Sequence, residues 1–105
     1  MYTNEERKQI ANTILSQLGG NQFIAMTGAK QFLSLESGLQ FGVGRGAKSG
    51  INKVRVILNA CDLYDVEFWK CGKFDFKCVK SLEGVYAEDL RRIFTENTGF
   101  YCTLR

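Results

Sequence analysis

Three consecutive stretches of this chain alternate apolar and polar residues with a period of two. In NKVRVILN, Val54, Val56 and Leu58 fall on one side, with Lys53, Arg55 and Ile57 on the other. In YDVEFWK, Tyr64, Val66 and Phe68 share a side, and Asp65, Glu67 and Trp69 share its opposite. In KFDFKCVK, the same alternation puts Phe74, Phe76 and Cys78 inward and Lys73, Asp75, Lys77 and Val79 outward. Successive strand side chains point to opposite faces, so three such runs in a row predict an antiparallel meander with one packed face and one wet face. Strands are expected over 53–59, 64–70 and 73–80, with Cys71-Gly72 as the tight turn joining the last two.

A one-sided sheet needs something to cover its apolar face, and the two ends of the chain supply it. Thr3-Asn4-Glu5-Glu6 has the form of a capping box, and Ile10, Ala11, Ile14, Leu15 and Leu18 follow at helical spacing. Gly19-Gly20 closes a predicted helix over 4–18. Tyr86, Leu90, Ile93 and Phe94 carry the same period, with Glu88 and Asp89 near the start and Gly99 at the end. This predicts a second helix over 86–97. Between the first helix and the meander, Phe23, Ile24 and Met26, then Phe32, Leu33 and Leu35, then Leu39, Phe41 and Val43 are broken by Gly turns. They read as two or three further short strands. Phe100, Tyr101 and Leu104 are expected to form a last strand or to pin the end of the chain. The expected class is α+β: an N-terminal helix, an antiparallel sheet of about five or six strands and a C-terminal helix, both helices on one face.

With 105 residues, the chain fits one domain, 1–105, of which folding buries roughly two-thirds of the unfolded surface. No apolar run approaches the roughly 18 residues that span a bilayer. The polar start MYTNEERKQI does not resemble a signal peptide, so a cytoplasmic location is expected. In that compartment Cys61, Cys71, Cys78 and Cys102 stay reduced. They lack the close pairing of a zinc site, and there is no His to complete a mixed one, so neither metal nor cofactor is expected.

The lack of His also removes Ser-His and Cys-His nucleophile pairs. Carboxylates are scattered, and no P-loop motif is present. No catalytic residue is assigned, and a non-enzymatic protein is expected. GVGRGAKSG precedes a strand rather than a helix, which makes it a flexible hairpin loop before it makes a phosphate cradle.

Two binding surfaces compete. Alternation places Trp69 on the wet face with Ile57 and Val79, beside Glu67. An apolar group rimmed by charge has the anatomy of a protein contact site. On this reading, Trp69→Ala weakens association and leaves the fold intact. The other candidate is nucleic acid. Residues 45–80 hold eight basic and four acidic side chains, a net of +4, and Arg45, Lys48, Lys53, Arg55, Lys73 and Lys77 are the candidate contacts. Against it, an acidic strand carrying Asp65 and Glu67 between two basic ones is ordinary cross-strand pairing. Exposed sheet edges would also permit a homodimer.

The stretches NQFIAMTGAK, KVRVILNACDLYDVEFWK and GVYAEDLRRIFTENTGFY resemble a small family of proteins from tailed bacteriophages and integrated mobile elements. The resemblance runs from about Leu18 to Leu104, with NQFIAMTGAK and IFTENTG its most specific parts. The cysteines and GVGRGAKSG lie outside it. It implies a phage or mobile-element protein in a bacterial cell that binds a host or phage protein. Counter-defence inhibition of a nuclease or a CRISPR effector, an anti-CRISPR role, is one concrete form. The family brings no catalytic residues to carry over.

Overall fold

The computed structural model describes residues 2–102. Helix α1 spans Asn4–Leu18 and α2 Gly20–Thr27; β1 is Lys30–Ser34, β2 Gly38–Gly42, β3 Lys53–Leu58, β4 Tyr64–Cys71 and β5 Phe76–Val85; α3 is Leu90–Thr98. Short 3₁₀ turns sit at Lys48–Gly50 and Ala87–Asp89. The five strands form one antiparallel sheet in chain order, β1-β2-β3-β4-β5. The fold is α+β, with the helices on one face and the other face open.

The start of α1 is closed by the expected box: the Thr3 hydroxyl accepts from the Glu6 amide, and the Glu6 carboxylate accepts from the Thr3 amide. That second hydrogen bond, from the Thr3 backbone, holds the Glu6 carboxyl below its usual 4.5.

The first expected strand, built on Phe23, Ile24 and Met26, is instead the helix α2. Gly19 and Gly20 adopt φ of +130° and +60°, which turn the chain sharply between two helices at little steric cost. Phe23 and Thr27, four apart, are the buried residues of α2. The helical period is hidden because Thr27 is polar. In the fold, its hydroxyl is satisfied by donating to the Phe23 carbonyl and accepting from the Ala29 amide.

Phe23 sits at the centre of the core. Its ring packs edge-on to Phe41 of β2 at 5.3 Å and to Phe94 of α3 at 5.1 Å, and Phe68 of β4 lies 6.5 Å from Phe94. Each such aromatic pair is worth about 0.5–1.5 kcal/mol beyond the area it buries. Val54, Val56 and Val66 complete the packed side of the meander, as the alternation requires. Gly38 permits the close approach of β2 to β3: a Cβ there would lie 2.2 Å from the Val56 carbonyl oxygen.

Three further expectations are corrected. Tyr86, assigned to the apolar stripe of the last helix, is exposed, because α3 begins only at Leu90 after a 3₁₀ turn. Strand β5 starts at Phe76 rather than residue 73, because the turn is four residues long and closed by the Gly72 amide donating to the Asp75 carbonyl. The loop 44–50 is packed rather than loose. Gly44 donates to the Thr27 carbonyl, Ala47 and Ile51 are buried, and the Lys48 ammonium donates to the Glu96 carbonyl near the end of α3. Phe100 packs against the core and Tyr101 is exposed. The expectation for Leu104 lies outside the described residues.

Candidate functional site

The open face of the sheet is built from the outward residues of β2 to β5. Pairing puts Gln40, Arg55, Glu67 and Ser81 in one row, and Gly42, Lys53, Trp69 and Cys78 in the next. The four-residue turn then pairs Cys71 with Phe76. Directly opposed residues share a face, so Phe76 takes the outer side with Cys71 and Trp69. This overturns the inward placement of Phe74, Phe76 and Cys78. A two-residue turn would itself pair Trp69 with Phe74 and Glu67 with Phe76, so these residues face outward with either turn length; the alternation alone does not say which of its two sets is packed. Phe76 is 73% exposed and Phe74, in the turn, 91% exposed. Cys78 is exposed as well.

Val79 moves the other way. It is the extra residue of a β-bulge, since Trp69 pairs with Cys78 while Phe68 pairs with Lys80. Val79 packs against the core instead of joining Trp69 outside. The bulge also returns Leu82 to the core face, opposite Val66. Ile57 is on the outer face, opposite Gly38 and Asp65, but four residues along β3 from Lys53, the partner of Trp69. That is about 13 Å at the strand rise. The expected Trp69, Ile57 and Val79 cluster therefore does not form. The apolar neighbour of Trp69 is Phe76, with ring centroids 5.9 Å apart.

Trp69 is held in place from below. Its indole N–H donates to Glu67 Oε1 at 3.0 Å, and the same oxygen lies 3.7 Å from Arg55 Nη1. Among the described residues, buried Arg55 Nε has no hydrogen-bond partner. Gln40, Lys53, Arg55, Trp69, Cys71 and Phe76 line a shallow depression of about 210 Å³. A larger depression, about 310 Å³, lies under the start of α1 between Ile10, Leu58 and Tyr64. Its one carboxylate, Glu6, is already engaged in the helix cap.

The anticipated charge pairing is realised only in part. Arg55 meets Glu67, but Asp65 accepts from the Asn59 side chain and the Gly84 amide. Lys73 lies in the turn over the ring of Phe74, 5.5 Å from its centroid. Lys77 is opposite Lys70, on the helix side of the sheet. Arg45 is exposed in its loop, and Lys48 is tied to α3. The six basic candidates thus divide between two faces, a loop and a turn. Phe76 and Phe74 are the residues that sequence reasoning missed; carrying the pairing across the turn from the outward Trp69 and Glu67 is the signal that would have exposed them.

The cysteines are all free: Cys61 and Cys78 exposed, Cys71 half-buried, Cys102 buried. Among the described residues, no group of three or more His, Cys, Asp or Glu is placed to hold a metal ion. No described helix is long and apolar enough to cross a membrane. No protein-family model, curated protein or solved structure matches the chain.

Proposed function

We propose that this is a non-enzymatic protein-binding module whose contact surface is the open sheet face around Trp69 and Phe76. One observation carries the reading. An aromatic pair stands on a face that no described helix covers, and the Phe76 ring is 73% exposed while Trp69 is anchored by Glu67. Orienting Trp69 in advance lowers the entropy lost on binding, and Trp with Arg at the centre of a patch is the usual composition of an interface hot spot. Lys53 and Arg55 around the depression favour a partner with acidic groups beside an apolar centre. The resemblance to phage and mobile-element proteins supplies a setting in which that partner is a host or phage protein, such as a nuclease or CRISPR effector.

The test uses the tagged protein as bait in nuclease-treated bacterial lysate, beside Trp69→Ala, Phe76→Ser and Tyr86→Ser. Tyr86 is exposed too, but follows β5 at the end of the sheet away from Trp69. The expected partner is retained by wild type and Tyr86→Ser and lost from both outer-face variants, each with an unchanged circular dichroism spectrum. Trp69 is the one tryptophan of the chain, so its emission should shift blue when purified partner is added. A partner that both outer-face variants still capture would sink the reading.

A further inference from the structure

The β4–β5 hairpin extends past the core as an arm with two unlike sides. Its outer side carries Trp69, Cys71, Phe76 and Cys78. Its helix side carries lysines. Lys70 is directly opposite Lys77, and Lys80 is opposite the core residue Phe68. All three are exposed. Like charges directly opposed across a sheet are unfavourable. The ion pairs among the described residues are Arg55–Glu67, Arg92–Asp89 and Arg92–Glu96, so no carboxylate relieves this pair.

Further positive charge gathers at the same end. The chain at Gly50 lies against the Lys70 side chain, which brings up the loop that holds Lys48 and Arg45. A carbonyl is the partner of Lys48, so its charge is not neutralised. At the tip of the arm, Phe74 is 91% exposed, with the Lys73 ammonium over its ring. A cationic track leading to a freely accessible ring is the arrangement that holds single strands: the cations follow the backbone and the ring takes a base.

We propose that the helix side of this arm binds single-stranded nucleic acid, with Lys70, Lys77 and Lys80 on successive phosphates and Phe74 stacked on a base. This surface is separate from the outer face, and it excludes Lys53 and Arg55. It stands or falls independently of the protein-binding reading, because Lys77 and Phe76 point to opposite sides.

The experiment is fluorescence anisotropy of a labelled 20-nucleotide oligo-dT with the full chain across a salt series. Three phosphate contacts predict a slope of log K against log salt near about −2, and Lys77→Glu should make it shallower by roughly 0.7. Phe74→Ser should weaken binding about 5- to 100-fold. Lys8→Glu, at an exposed position of α1, makes the same change in net charge and should have little effect. No binding by wild type at 100-fold excess over a micromolar probe in low salt overturns the proposal. So do equal losses from Lys77→Glu and Lys8→Glu. If poly-glutamate displaces the oligonucleotide as well as unlabelled oligo-dT and Phe74→Ser changes nothing, the track reads acidity alone and belongs to an acidic protein surface.

Discussion

Single side chains in this protein take their chemistry from burial more than from their immediate sequence neighbours. Cys102 is the clearest case. Burial raises its thiol pKa to about 11, an effect only partly offset by a hydrogen bond with Thr95 and the nearby Arg91 charge. The thiolate is the reactive form, so at pH 8 Cys102 is almost wholly protonated, and shielded as well. Iodoacetamide at that pH should modify Cys61 and Cys78 readily and Cys71 more slowly, and should spare Cys102 until the chain is unfolded in denaturant. Peptide mapping checks the order. Early modification of Cys102 would show that the end of α3 opens easily. Trp69 is a second case: its outward direction follows from alternation, but its packing neighbour Phe76 follows from a turn.

At the level of elements, local pattern and long-range pairing contribute differently. Helix α1 matched its expected limits because a capping box and a glycine stop are local signals. Helix α2 did not, because its buried face is one Phe and one hydroxyl whose polarity is cancelled by backbone hydrogen bonds. Strand β5 is where pairing dominates. Its register is set by the Gly72–Asp75 turn, which leaves Lys77 facing Lys70, and is reset beyond that pair by the bulge at Val79. Lys77→Glu replaces a repulsive cross-strand pair by an attractive one. It should stabilise the fold by about 0.2–1 kcal/mol, measured by urea unfolding at low salt. Loss of stability on this substitution would show that Lys77 has a carboxylate partner in solution. The same change should impair nucleic-acid binding, which separates stability from function at one position.

For the whole molecule, the covering helices stop short of the distal hairpin. The four buried phenyl rings and the valines of β3 and β4 hold the centre, while residues 72–78 are exposed throughout. Hydrogen exchange should follow this gradient. The amides of Val54, Val56 and Val66 should exchange only with global unfolding, and those of 72–76 far faster. Phe74→Ser and Phe76→Ser should each change stability by no more than about 0.5 kcal/mol, as is usual at exposed positions. A large loss from Phe76→Ser would mean that its contact with Trp69 is structural, and would weaken the case for the outer face as a binding surface.

The sequence by itself determined the α+β class, the capped first helix, the inward residues of β3 and β4 and the outward direction of Trp69. These rest on periodicity and capping, which depend on neighbours a few positions away. Only the tertiary structure decided that Phe23 belongs to a helix, that Val79 turns inward, that Phe76 joins Trp69 and that Lys70 meets Lys77. Each of these depends on what another segment brings opposite. A two-residue difference in turn length or one bulged residue changes which side chains meet without disturbing the local pattern.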